Sequence, residues 1–521
     1  METTFGIGVA IIVAACLLGL AIFRKHRNTL RGFFLMDREL DLGPFVFSIL
    51  AANLSVGNFL IFSAVWSYAF GFGGFFWFVV NLVLNIAVYR FFEPKFSEYI
   101  SDRNNSGTVH EYLSVTFGQT PAWKKRIRFF AAVTTIVGLL FAIVFELHLA
   151  TDILSRFLNV DPISLYLALT VLICIYSAMG GYQSLLVTDY VNSTAMIFGF
   201  VAIVAILWSV VFDPAQNVTP KSLPVSWNIF SIGLPNILSI CAVGSGWFLV
   251  AMDQWQRTSA LKDPKSIQPG MWLYFVFTLF FAAIFSAVGV LDKTRITPSL
   301  PPGHASQVSD GSNPLADLFL AGVTSNAHKY LFGLFALTLF AAAMSTANTF
   351  LIVCGHSFTS DILSGTAKDE SSRVPSDNEI SPLLELGRSS IVGMGALILL
   401  AWMILNVFGM LKNPLQFFFI AYSIQFALLA PILCTRLPAR YQPKEQAVFH
   451  SLWVGVVVSI AWGLISWFRV PAASQAGGLA NSWLVLTPLV TSISGLIVLG
   501  VYEPLVVAAI KRLAGRNAKS S

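Results

Sequence analysis

Apolar residues run in blocks of about twenty along nearly the whole chain, and polar residues gather in the short stretches between them. The blocks predict thirteen helical spans, at roughly 4–23, 42–69, 73–92, 128–156, 162–179, 190–212, 229–252, 270–291, 329–357, 387–408, 414–435, 449–468 and 480–505. Runs of this length exclude a β-barrel, whose strands alternate over about ten residues. Two blocks depart from the pattern. Leu42 to Phe70 has no charged residue, yet its middle, Ala51-Ala52-Asn53-Leu54-Ser55-Val56-Gly57-Asn58, gathers two amides, a serine and a glycine near the expected midplane. Either these groups are hydrogen-bonded inside a bundle, or the helix unwinds there and frees its carbonyls. Ala341 to Thr349, AAAMSTANT, is the second, with hydroxyls and an amide among small residues. Hydroxyls opposite freed carbonyls form the oxygen shell that a hard monovalent cation needs.

The spacing of the interruptions suggests an architecture. Gly43-Pro44 opens the second span, and Pro235 with Gly244-Ser245-Gly246 weakens the seventh. Two interrupted spans five apart head two five-helix units, and because five is odd the units have opposite topology. That layout is the signature of an inverted repeat with its site at the breaks. The predicted organisation is an N-terminal helix and basic loop (1–41), a first unit (42–212), an external connection (213–228), a second unit (229–435), and two C-terminal helices with a basic tail (436–521).

Composition agrees. Of 521 residues 56% are hydrophobic and 11% charged, against about 25% charged in soluble domains, so an all-α polytopic membrane protein is expected. The net charge of +6 is not a nucleic-acid signal, because the basic residues follow topology. With the N-terminus outside and the C-terminus inside, 25 of the 32 Lys and Arg fall in cytoplasmic segments. The stretch Gln119 to Arg128 is one of these basic loops, and Arg257 lies in another. Thr294 to Lys329 is expected as an external loop with a short helix near Pro314–Leu320, and Ser364 to Ser381 as a polar inner loop. Cys16, Cys174, Cys241, Cys354 and Cys434 have no metal or disulfide spacing. The first run lacks a basic flank and a cleavage site, and is expected as a retained helix. The sequence has no nucleophile with its base, no Walker sequence and no cofactor fingerprint, so it does not read as an enzyme.

Several polar residues inside the spans carry candidate chemistry, each beside a plainer reading. Ser345 and Thr346 either bond back to their own helix or face a cation, with Asn348 and Thr349 on the same half-turn. Asp189 is either a carboxylate in a first helical turn or a charge that helps a cation leave inward. Glu146 and His148 either face an outer vestibule or form a coupling pair. Asn53, Asn58, Trp247, Phe248, Gln416, Tyr422 and Gln425 suit a small polar and aromatic pocket, although Trp247 and Phe248 equally suit helix packing. Asp253 and Arg257 read as an inner gate or interfacial anchor.

The motifs GGYQSLLVTDYVN, DQWQRTSALKD and AAAMSTANTFLIVCGHSFTSDI resemble the sodium:solute symporter family. The resemblance covers nearly the whole chain. It implies a five-plus-five inverted repeat with one extra N-terminal and two extra C-terminal helices. It implies Na+ as coupling ion, bound by the carbonyls of Ala51, Leu54 and Ala342 and the side chains of Ser345 and Thr346. Asp189, Asn348 and Thr349 match a second sodium site or exit path, with an amide at Asn348 where a hydroxyl is usual. Asn58, Trp247 and Phe248 match solute contacts of a sugar-transporting member. Asn53 stands where proline transporters carry a carboxylate, and Gly244 where sugar transporters carry an amide. The expected function is sodium-coupled import of a small organic solute at a cell membrane, with lipid, sodium and solute as the partners and no required protein or nucleic-acid partner. The same scaffold driven by protons through Glu146 and His148, and a membrane solute sensor, are the alternatives.

Overall fold

The computed structural model describes residues 2–22, 29–57, 62–102, 105–212, 227–291, 329–363, 382–412, 414–469 and 482–500. The expected helix at Pro314–Leu320, the loop Ser364 to Ser381 and Asn58 lie outside these residues. The described chain is almost entirely helical, with α1 (Glu2–Ile22), α2 (Leu30–Leu35), α3 (Leu42–Asn53), α4 (Phe62–Phe70), α5 (Phe72–Ser101), α6 (Val109–Phe117), α7 (Pro121–Leu158) and α8 (Pro162–Phe212). There follow α9 (Leu234–Val250), α10 (Met252–Ala260), α11 (Ile267–Leu291), α12 (Lys329–Ser357), α13 (Pro382–Val407), α14 (Pro414–Ser423), α15 (Leu429–Cys434) and α16 (Glu445–Arg469). A last apolar helix spans Thr487–Gly500. Among the described residues seven helices are long and apolar enough to cross a membrane, or eight if the bent pair α9–α10 counts as one span.

Helix starts follow their capping chemistry. The Thr120 side chain accepts from the Trp123 amide and Pro121 occupies the first turn, so α7 begins before the expected span and takes in the presumed basic loop. Arg128, expected in that loop, is therefore inside a helix and buried. Thr108 caps α6 with Glu111 three residues on, the capping-box spacing. The expected spans 162–179 and 190–212 meet with no loop between them, because the connecting residues are themselves helical. The reversal falls on Gly181, at φ 62° and ψ −163°. A straight helix would put Tyr176 and Thr188 about 18 Å apart, yet Tyr176 Oη lies 3.4 Å from Thr188 Oγ1. A side chain at position 181 would also meet the Phe33 carbonyl at 2.6 Å.

The centre of the bundle is α12. Its whole apolar window is buried, against 33% for α16. It packs on α7, α8, α1 and α13, while α3 lies against α8, α11 and α12, and α9 against α5. Outward faces keep large apolar residues exposed, such as Trp208 (65%), Val201 (63%) and Val276 (61%), as lipid contact requires. At the end that holds α2, α6 and α10, the basic end, Leu40 pairs in parallel with Leu261. Leu40 N donates to Ala260 O (3.0 Å) and Lys262 N to Leu40 O (3.0 Å).

Candidate functional site

The unwinding predicted in the second span is present. Leu54 N still donates to Leu50 O (2.9 Å), and at Leu54 the chain leaves helical geometry with φ −77° and ψ 50°. The last carbonyls of any helix lack partners within it. Here that of Ala52 accepts the Thr346 hydroxyl from α12 at 3.1 Å. Three residues past the break point, the Gly57 amide donates to Glu146 Oε2 at 3.0 Å. A side chain at position 57 would collide with the Phe145 ring, which explains the glycine. Glu146 is fully buried, and its carboxylate holds an amide that the broken helix can no longer satisfy.

Next to Thr346, Ser345 donates to Asp189 Oδ1 at 2.6 Å, and Ser48 of α3 donates to Oδ2 at 2.8 Å. Asp189 was expected at a cytoplasmic mouth, either in a first helical turn or as a charge that helps a cation leave. It lies instead eight residues past the Gly181 reversal and is fully buried between α3 and α12. Ser345 spends its proton on the carboxylate, which leaves its oxygen lone pairs free for a cation. Ala51, Leu54 and Ala342 are buried around this point. The hydroxyls of Ser345 and Thr346 and these backbone segments are all buried.

The second interrupted span bends by 43° between α9 and α10. The non-helical residue is Ala251, with φ −72° and ψ 102°. Below it Arg257 is buried and fully engaged. Its Nη1 reaches Asp253 Oδ2 (2.7 Å) and the Asp253 carbonyl (3.1 Å), Nε reaches Ser48 Oγ (3.0 Å), and Nη2 reaches Thr349 Oγ1 (3.1 Å). Asn348 accepts from Ser177.

Above the bend a cavity of about 80 Å³ opens among α3, α4, α5, α9, α11 and α14. Its polar groups come from Asn53, Asn81, Asn85, Ser239 and Ser423, and its walls from Trp66, Phe78, Trp247, Phe248, Tyr274, Phe419, Tyr422 and Phe426. Among the described residues none that lines it is acidic or basic. Trp247 and Tyr422 pack with ring centroids 5.0 Å apart, and Trp247 Nε1 is buried with no partner among the described residues.

Asn53, Trp247, Phe248 and Tyr422 are thus brought together. Gly244 lies apart, against the Asn81 backbone, where a Cβ would come within 2.9 Å of the carbonyl oxygen. Gln425 turns toward Gly138 of α7 and does not line the cavity. The Gln416 side chain is not among those described. His148 and Glu146 do not pair: His148 Nε2 lies 3.2 Å from the Leu411 carbonyl, while Glu146 faces Gly57. Two residues apart on a helix, they point to different neighbours.

One cluster went unforeseen. At the basic end Asp361 accepts Arg128 Nε (2.6 Å) and Thr108 Oγ1 (2.9 Å) and lies 2.7 Å from His110 Nδ1. Arg128 also reaches Glu111 Oε1 at 3.3 Å. This buried ionic knot ties α6 and α7 to the π-helical end of α12, Phe358–Leu363. The capping box at Thr108 and the Asp of the quoted SFTSDI run were its only traces in the sequence.

Comparison with known proteins places this geometry. A family model described as "Sodium:solute symporter family" matches residues 33–405. A Drosophila melanogaster protein provisionally named a sodium-dependent multivitamin transporter is 24% identical over 420 residues, 75% of this chain and 65% of its own. Sodium/glucose cotransporter 1 of Mus musculus is 29% identical over 186 residues, 34% of this chain and 25% of its own. The chain therefore matches less than two thirds of the length of these relatives. A Na+-coupled sialic acid symporter, solved in a substrate-bound outward-open state, superposes with a TM-score of 0.68 over 96% of this chain and 98% of its own, at 19% identity. The two chains share a fold.

Proposed function

The chain belongs to the sodium:solute symporter family, and from that premise we propose that it carries a small organic solute across the cell membrane together with sodium, by alternating access. The observation that supports this best is the juxtaposition at the first break. Thr346 and Ser345 meet the Ala52 carbonyl and Asp189 within the same bundle as an uncharged aromatic cavity. The sodium ion takes the hydroxyl oxygens of Ser345 and Thr346 with carbonyls of Ala51, Leu54 and Ala342. The solute lies above, between Trp247, Phe248 and Tyr422, oriented by Asn53. At about 80 Å³ the cavity is well above the roughly 10–15 Å³ that a single water needs.

The coupling is a linkage. A cation that binds one conformation better raises solute affinity for it by the same factor that the solute raises the cation's. A membrane potential of 100 mV adds about 2.3 kcal/mol per charge moved. The test is a panel of small neutral and zwitterionic solutes, read by thermal unfolding of purified protein in sodium and in potassium at equal ionic strength. A solute that raises the midpoint in sodium alone is the expected result. Equal stabilisation in both salts would overturn sodium coupling.

Proton coupling on the same scaffold has one observation on its side. Glu146 is buried at the first break, where it accepts from the Gly57 amide. Uptake that ignores sodium and follows pH, lost in Glu146→Gln, would favour that reading.

A further inference from the structure

We propose that the start of α7, where it lies against α16, binds one anionic phospholipid from the leaflet at the basic end. Lys124, Lys125 and Arg126 take the phosphate of its headgroup, and apolar residues one turn deeper take its acyl chains. The two helices begin together, because the amides of Gln119 and Thr120 both donate to Glu445 Oε2, at 2.7 and 3.2 Å. They stay in contact beyond that point, with the Phe449 ring 5.9 Å from Trp123 and 5.5 Å from Phe130 between centroids. Both therefore run from the same end into the bilayer, and the three cations stand exposed at the mouth of the seam between them.

Charge sets this place apart from the rest of the rim. Arg90 pairs with Glu93 at 2.8 Å, Lys95 lies 3.9 Å from Glu98, and Arg436 stacks over the Phe91 ring at 4.6 Å. Lys124, Lys125 and Arg126 have no ion pair among the described residues. The carboxylate beside them, Glu445, is spent on the two backbone amides. Arg126 is steadied over the Trp123 indole, 4.8 Å from its centroid, a cation–π contact, and indoles favour headgroup depth. Past the cations the surface turns apolar. Phe129, one turn along α7 from Lys125, is 47% exposed, and Trp453, one turn along α16 from Phe449, is 50% exposed. Val457 and Ile460 continue that face of α16, both exposed. Three unpaired cations at the head of two exposed apolar strips match one phosphate head with two chains. A zwitterionic head brings an ammonium up to the same lysines, so an anionic one is selected.

The experiment is independent of which ion or solute the chain carries. The purified full-length chain in detergent is titrated with phosphatidylglycerol and with phosphatidylcholine, and retained lipid is counted by native mass spectrometry. One phosphatidylglycerol, held in preference to phosphatidylcholine, is the expected result, and no preference overturns the proposal. A Lys or Arg near an anionic surface adds about fivefold to the attraction. Lys124→Gln, Lys125→Gln and Arg126→Gln together should therefore weaken retention on the order of 100-fold. Arg90→Gln, Lys95→Gln and Arg440→Gln together remove as many charges from the same end and should leave retention nearly unchanged. Equal losses in the two triple variants would mean a diffuse attraction to the whole rim, and the site falls. Displacement of the lipid by excess inorganic phosphate at equal ionic strength would make the ligand a free phosphate and also overturns it. If the first triple variant does not fold, wild type still decides: exposed charges are screened by salt, so retention must fall as sodium chloride is raised, and retention indifferent to salt sinks the assignment.

Discussion

The two interrupted helices solve the same problem in different ways. Between α3 and α4 the chain leaves helical geometry at Leu54, and a distant carboxylate, Glu146, takes up the Gly57 amide. Between α9 and α10 a single residue, Ala251, bends the axis by 43°. There the indole of Trp255 donates to the Leu249 carbonyl at 2.8 Å. The first break exposes backbone, and so offers carbonyls. The second keeps its backbone nearly satisfied and offers side chains, Trp247 and Phe248 on one side and Asp253 and Arg257 on the other. The first break suits an ion that wants oxygens, and the second suits an aromatic wall and a charged latch.

Substitutions sharpen the contrast. The largest expected effect is at the second break. Arg257→Ala strands Asp253 without its partner, and removing one member of a buried pair costs about 3–5 kcal/mol. The thermal midpoint should fall steeply, and an unchanged midpoint would show that the latch does not hold α10. Next comes the first break's partner. Ser345→Ala with Thr346→Ala removes two oxygens, each worth about 1.5 kcal/mol to a charged group, or together on the order of 100-fold in sodium affinity. Sodium titration of the folded variant checks this, and normal sodium dependence would remove the ion from α12. Glu146→Ala should cost about 1–3 kcal/mol by orphaning the Gly57 amide, with Glu146→Gln costing less because it keeps an acceptor oxygen. Equal stability of all three proteins would mean that the first break is held by other contacts. The smallest effect is Trp247→Ala, which forfeits about 1 kcal/mol of ring contact. It should raise the solute concentration for half-saturation roughly fivefold while leaving that for sodium nearly fixed. Equal shifts in both would make Trp247 a packing residue.

Much of this contrast was legible in the sequence, and the reason is physical. Amides, serine and glycine in a charge-free apolar block are hard to reconcile with an unbroken helix in lipid, so the first break announced itself at Ala51 to Asn58. The run AAAMSTANT announced its partner, because small residues allow the close approach that Thr346 and Ala52 make. What stayed hidden depended on contacts distant in sequence. Nothing near Glu146 signals an amide 89 residues away. Nor does the run after Gly181 reveal that a reversal there carries Asp189 inward rather than leaving it in a first turn. Arg128 was read as a loop charge because charges usually flank spans. The Thr120-Pro121 cap, which pulls it into α7 beside Asp361, is a short signal that the charge count outweighed. Gly244 and Trp247, only three residues apart, ended with different surroundings, the first against a helix and the second against a cavity.

The parallel pairing of Leu40 with Leu261 joins the chain just before the first broken helix to the chain just after the second. It acts as a yoke: neither arm swings at that end without tugging the other. Its strength is that of two peptide hydrogen bonds, a net of about 1–3 kcal/mol, or a bias of roughly five- to 150-fold toward the joined state. A fastening of that size is weak enough to be broken by interactions worth a few kilocalories.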